Sequence, residues 1–127
     1  MDCRKLSGGA FLPWAAVQLK ALSFYDEGGQ VQMVPHESIG NLDVMALSEV
    51  ALRAACNKCH APLTMFTRKD PDLLYVTIGT IDEGSIPNQK DRARLRPEAH
   101  IFVSQNVSWF DVGQDGIPCF GRFMSER

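Results

Sequence analysis

The sequence has little of what would mark it for a membrane, for export or for a nucleic acid. No apolar run approaches the roughly 20 residues needed to cross a bilayer, so no membrane partner is expected. The opening "MDCRKLSGGAF" lacks the apolar stretch of a secretory signal, which leads to the expectation of a soluble, cytoplasmic protein. Basic excess is also missing: 13 Lys and Arg against 15 Asp and Glu leave a formal net charge of −2. Binding to a phosphate backbone is driven by clustered cations that release counterions, so no nucleic-acid partner is expected. The one basic cluster, "KDRARLRPE" at 90–98, also holds Asp91 and Glu98. It reads first as a solvated loop and second as a phosphate or anion site.

Repeats, low-complexity tracts and interdomain linkers are likewise absent, as is any long amphipathic helical pattern. The 127 residues, 45% hydrophobic and 22% charged, fit one folded domain spanning 1–127 with a single core. What is present is a series of short, turn-separated strand patterns, which argues for a mainly β fold of small sheets. In "LLYVTIGTI" at 73–81, Leu74, Val76 and Ile78 fall on one face and Tyr75, Thr77 and Gly79 on the other, the clearest period-two signal in the chain. The run at 8–19 reads as a buried strand or short helix, with Pro13 favouring an edge strand. "YDEGGQ" at 25–30 is a turn in which Gly28 and Gly29 are free to take positive φ, and "VQMV" at 31–34 alternates as a short strand. "APLTMF" at 61–66 and "AHIFVS" at 99–104 read as strands, "RKDPD" at 68–72 as a hairpin loop, and 112–118 as turn-rich. The polar stretch 82–98 is longer than most ordered loops, and loops of that length are often functional rims. Intrinsic propensity over 41–56, rich in Ala and Leu with Ser48 as an N-cap, favours a helix.

Four cysteines, Cys3, Cys56, Cys59 and Cys119, in a chain without an export signal point to thiols or metal ligands rather than a disulfide framework. Cys56 and Cys59 form a C-x-x-C turn, a spacing that lets two thiolates reach one tetrahedral ion at about 2.3 Å. Three readings stand open on this pattern: half of a zinc site, a redox dithiol, and two ordinary buried thiols. Pro62 and the strand-like residues after Cys59 count against the redox arrangement, which places the pair at a helix N-terminus inside a βαβ unit.

The ordered blocks "DCRKLSGGAFLPWAAV", "RAACNKCHAPLT", "VTIGTIDE", "AHIFVSQNVSWF" and "DGIPCF" resemble the glutathione-dependent formaldehyde-activating enzyme and centromere protein V family over nearly the whole chain. The resemblance implies a β-tent fold of small antiparallel sheets around a zinc-binding C-x-x-C turn, with 47–56 as a strand despite its helical propensity. It implies two zinc sites. Cys56 and Cys59 match the later half of the structural one, and Cys3 matches the final cysteine of a C-H-C-x-x-C run that forms the catalytic one. The earlier cysteines of both are absent, so the expectation is an N-terminally truncated chain in which neither site closes alone. The implied activity is that of a carbon–sulfur lyase acting on thiol–aldehyde adducts, with glutathione as the small-molecule partner, formaldehyde as co-substrate, and Cys3 a ligand rather than a nucleophile. The alternative is a non-catalytic zinc-binding scaffold of the same fold.

The remaining candidates carry plainer expectations. Cys119 reads as a buried free thiol, His60 as a turn residue or a donor beside the metal turn, His100 as a satisfied structural histidine and His36 as surface. Trp14 and Trp109 read as core. Arg53 reads either as support for the metal turn or as the partner of a surface carboxylate.

Overall fold

The computed structural model describes residues 2–32 and 34–124. Its strands are β1 (Trp14–Gln18), β2 (Phe24–Asp26), β3 (Gly29–Val31), β4 (Leu42–Met45), β5 (Ala51–Cys56), β6 (Pro62–Thr67) and β7 (Leu73–Thr77). Five of them form one antiparallel sheet in the order β1-β7-β6-β5-β4, and β2 and β3 form a separate hairpin. The mainly β expectation therefore holds. By its internal contacts the chain divides into two compact units, Trp14–Ile81, which contains both sheets, and Met1–Pro13 together with Asp82–Arg127.

Within the sheet unit, β7 pairs with β1 from Trp14 opposite Thr77 to Gln18 opposite Leu73, and with β6 at Thr64–Val76 and Met65–Tyr75. Leu74 is completely buried. Proline cannot donate to a ladder, and Pro13 precedes β1 at the sheet's edge as its chemistry requires. The period-two pattern over 73–81 outlasts the strand, which stops at Thr77 and passes into a 3-10 turn at Ile78–Thr80. The turn is drawn in by two hydroxyls: Thr80 Oγ1 donates to the Thr77 carbonyl at 2.9 Å, and the buried Thr77 Oγ1 donates to the Pro62 carbonyl at 2.8 Å.

The helix favoured by propensity over 41–56 does not form. Leu42–Met45 and Ala51–Cys56 are instead neighbouring strands, paired from Leu42 opposite Cys56 to Met45 opposite Arg53. Ser48 caps no helix; its Oγ accepts the Ala51 N–H at 3.3 Å, at the point where β5 begins. Residues Ala51 to Ala55 are all buried, so small side chains serve a strand covered on both faces. Ladder bonds to β4 and β6 then outweigh a weak intrinsic preference. Arg53 is buried within this strand at 7% exposure.

At the β2–β3 turn only Gly29 takes positive φ, at 112°; Gly28 does not. The strand expected at 31–34 contributes Val31 alone to β3, and Met33 lies outside the described residues.

The other unit opens with a short helix, α1 (Asp2–Ser7), that the sequence reading missed. It ends at Gly8, whose φ of 71° fits the left-handed position after a helix, with the Gly8 N–H donating to the Arg4 carbonyl at 2.8 Å. The polar stretch 82–98 is ordered into a 3-10 turn at Glu83–Ser85, a helix α2 (Gln89–Arg92) capped by the Asn88 side chain, and a second 3-10 turn at Ala93–Leu95. The strand expected at 99–104 reduces to one bridge, His100 with Cys119. Phe102 adopts φ 58°, in the left-handed region, and a 3-10 turn at Val103–Gln105 follows. The segment still binds its neighbour: Phe102 N–H reaches Arg122 O at 3.2 Å and Val103 N–H reaches Phe120 O at 3.1 Å. Trp109, expected in the core, is 66% exposed, while Trp14 is half-buried.

Leu74→Ala removes the most buried large side chain of the sheet unit and should cost about 2–5 kcal/mol. Urea unfolding should show the midpoint falling with the m-value unchanged; a variant with the wild-type midpoint would place the core elsewhere.

Candidate functional site

Residues 56 to 61 form a tight reversal between β5 and β6. The Cys56 N–H donates to the Ala61 carbonyl at 3.0 Å, and the His60 N–H donates back to the Cys56 carbonyl at 2.8 Å. That second bond requires a left-handed residue at the corner, and His60 supplies it with φ 61°, a conformation that costs most residues about 1–2 kcal/mol and glycine almost nothing. The expectation that His60 is a turn residue is thus met, and its side chain is exposed.

The reversal aims backbone dipoles at sulfur. Cys56 Sγ accepts N–H bonds from Cys59 and from Lys58, the latter at 3.4 Å, and lies within hydrogen-bonding contact of the Cys59 thiol. These donors hold the Cys56 thiol below its ordinary pKa: the Cys59 N–H contributes most, the Lys58 N–H next, burial opposes them, and the Lys58 charge adds least. Hydrogen bonds to the charged form favour it, so the turn eases loss of the Cys56 proton.

The turn is tied to the rest of its unit at three points. The Asn57 N–H donates to Asn41 O at 2.9 Å, and its side-chain amide donates to Gly40 O at 3.2 Å. Lys58 forms an exposed ion pair with Glu27, in the β2–β3 turn. Gly40 itself, at φ 56°, approaches Asp26 so closely that a Cβ would stand 2.9 Å from its carboxylate. A side chain there would strain the backbone and collide.

The structure brings Cys56 and Cys59 together. Cys3 lies half-buried in α1 of the other unit. Among the described residues no group of three or more His, Cys, Asp or Glu side chains is placed to hold a metal ion. Tested against the chemistry of zinc, two adjoining thiols, one with its pKa lowered, fit half of a tetrahedral ligand set; among the described residues no third ligating side chain joins them.

Cys119 is exposed rather than buried, with its Sγ 3.6 Å from the Ile117 carbonyl; the reading of a buried thiol is corrected. His36 is on the surface beside Glu37, as expected. His100 is satisfied: Nε2 lies 2.8 Å from Asp115 Oδ2, the Phe11 ring meets the imidazole edge-on, and the backbone on either side is held by Pro118 O and by the Phe120 N–H, each at 2.8 Å. Asp115, which sequence reasoning missed, is kept below the usual carboxylate range by the Ile117 N–H first and by His100 second. Its signal was the "DGI" run, since an aspartate two residues before an N–H in a glycine turn accepts from it.

Fold and site define a mainly β protein with a C-x-x-C pair on a hydrogen-bonded reversal, and sequence comparison narrows the class. The family model described as glutathione-dependent formaldehyde-activating enzyme matches residues 1–105. The chain belongs to that family, which links it to glutathione and formaldehyde chemistry. No curated protein and no solved structure matches it. No helix among the described residues is long and apolar enough to cross a membrane.

Two outcomes test the turn. Peptide-resolved iodoacetamide labelling should show Cys56 reacting at lower pH than the same cysteine in the urea-unfolded chain. Because the folded thiol's pKa lies below the unfolded one, the stabilisation is present above the unfolded value and disappears as pH falls through the folded value. Superposable folded and unfolded profiles would refute the N–H donation. Separately, His60→Gly should be neutral or stabilising by up to about 1 kcal/mol while His60→Val destabilises by at least that much. Equal urea midpoints for the two variants would contradict the left-handed corner.

Proposed function

We propose that the protein is a zinc-dependent enzyme of the carbon–sulfur lyase type that acts on thiol–aldehyde adducts, joining glutathione to formaldehyde as S-hydroxymethylglutathione or reversing that step. The observation that carries the reading is the hydrogen-bonded Cys56–Cys59 corner in a chain of the glutathione-dependent formaldehyde-activating family. In this reading the fold is a β-tent, and Cys56 and Cys59 hold a structural zinc as two of its four ligands. Cys3 is a ligand of a separate catalytic zinc. When bound there, zinc supplies a positive centre that favours thiolate over thiol and draws electrons from a carbonyl.

The bond changes are few. The S–H bond of the peptide thiol breaks, a C–S bond forms to the aldehyde carbon, the carbonyl π pair moves to oxygen, and oxygen ends with the proton. The chain's own part at the structural corner is to keep two sulfurs close and to favour loss of the proton from one of them. Asn57 and Lys58 hold that corner to neighbouring segments through Gly40, Asn41 and Glu27. The backbone N–H groups leave little reorganisation to be done when a cation arrives.

The assay compares this chain with an N-terminally extended form carrying the family's C-H-C-x-x-C run. Glutathione-dependent loss of formaldehyde should appear in the zinc-loaded extended form and stop on chelation. Cys56→Ser or Cys59→Ser should lower metal affinity or activity at least about 10–100-fold, as loss of support at a metal site does. A zinc-replete extended protein that consumes no formaldehyde would sink the enzymatic reading and leave the non-catalytic scaffold.

A further inference from the structure

The basic stretch at 90–98, which the sequence suggested as an anion site only second to a solvated loop, borders an open surface cleft of about 500 Å³ lined by Glu83, Pro87, Gln89, Arg92, Ala93 and Arg96, all of them exposed. All six residues come from one short segment whose order is well accounted for. Asn88 Oδ1 accepts the Lys90 N–H at 2.8 Å and so starts α2. Arg92 Nε donates to the Ile86 carbonyl at 2.6 Å, fixing the guanidinium by one edge. Among the described residues the terminal nitrogens of Arg92, the Arg96 guanidinium and the Glu83 carboxylate have no hydrogen-bond or ion-pair partner. Arg94, by contrast, lies 4.0 Å from Asp91 and is not part of the lining.

The cleft therefore offers two planar cationic forks, one carboxylate and one amide. A guanidinium matches a carboxylate by paired N–H bonds, and a carboxylate matches an ammonium. Two arginines alone would suit any small anion. Glu83 among them repels a dianion such as phosphate and favours a ligand carrying a positive group beside its negative one. We propose that this cleft binds the zwitterionic α-amino-acid head of a small peptide, with the carboxylate on Arg92 and Arg96 and the ammonium on Glu83. The γ-glutamyl end of glutathione has such a head, so the inference rests on glutathione as the partner in the reading above and assigns it a docking site. The thiol lies at the other part of that ligand, so binding here requires neither metal nor free sulfur.

The test separates docking from chemistry by using S-methylglutathione, whose blocked sulfur neither ionises nor reacts, with the metal-free chain. Titration followed by arginine Nε–H NMR signals should shift Arg92 and Arg96, with L-glutamate producing the same shifts and glutarate and inorganic phosphate producing much smaller ones. Arg96→Gln should weaken S-methylglutathione about tenfold, the loss of one charge-assisted contact. Glu83→Gln should weaken both amino-acid probes and strengthen glutarate, a reversal that a merely structural role for Glu83 would not produce. The proposal is overturned if phosphate or glutarate binds the wild-type cleft as well as S-methylglutathione does, or if Arg96→Gln binds S-methylglutathione unchanged. Binding of S-methylglutathione in a protein that consumes no formaldehyde would keep the cleft and reject the lyase; formaldehyde turnover without those shifts would do the opposite.

Discussion

The Cys56 to Ala61 reversal is the constraint on which the site depends. Its two backbone bonds, Cys56 N–H to Ala61 O and His60 N–H to Cys56 O, fix how β5 ends and how β6 begins. They leave the N–H groups of Lys58 and Cys59 directed at Cys56 Sγ. The register between the two strands shifts at Ala54 and Ala55, from Ala54 opposite Thr64 to Ala55 opposite Pro62. A bulge of this kind re-aims a strand end, and here it falls immediately before the cysteine corner. The buried Thr77 hydroxyl on the Pro62 carbonyl then holds the outgoing strand where the ladder to β7 has not yet begun. Proline lacks an N–H but keeps its carbonyl, and that carbonyl is bonded.

The corner is supported by a sheet whose rigidity lies close by. Five consecutive buried residues in β5 lead directly to half-buried Cys56, so the first sulfur is mounted on the best-packed strand of its unit, while Cys59 is carried on the exposed side of the turn. One sulfur is thus held by a packed strand while the other sits on a more exposed turn. The loop leading into β4 matters as well. Asp26 accepts the Gly28 N–H at 2.7 Å and lies against Gly40, whose carbonyl takes the Asn57 amide. A substitution at a glycine distant in sequence would thus be felt at the thiols through two hydrogen bonds.

Much of this was legible in the sequence. Period two marked β7, Pro13 marked the edge strand, and C-x-x-C with the residues around it marked both the corner and the family. The failures have identifiable causes. Helical propensity over 41–56 is a sum of small local terms, and the ladders on both sides of β5 outweigh it. The 99–104 run alternates well enough for a strand, but Phe102 in the left-handed region ends pairing after one bridge, and no residue type signals that. Trp109 was read as core because of its size, although large aromatics with a polar edge are often only partly covered. Helix α1 escaped because six residues give too little periodicity to detect. The Glu83–Arg92–Arg96 cleft escaped because spacing alone does not show which charges in a mixed run are paired off.

The source of the field at Cys56 decides how its reactivity responds to its surroundings. A neighbouring ammonium is the usual influence that lowers a thiol pKa, yet Lys58 contributes least through its charge and more through its backbone N–H. Its ammonium is paired with Glu27, and both side chains are mostly exposed, where solvent and salt screen such charges strongly. The N–H groups sit against the sulfur at contact distance, are held by the turn's own hydrogen bonds, and are not displaced by ions. The lowered pKa of Cys56 is therefore a property of backbone geometry more than of side-chain charge. Changes that bend the reversal, such as a β-branched residue in place of His60, should disturb it more than changes that neutralise Lys58.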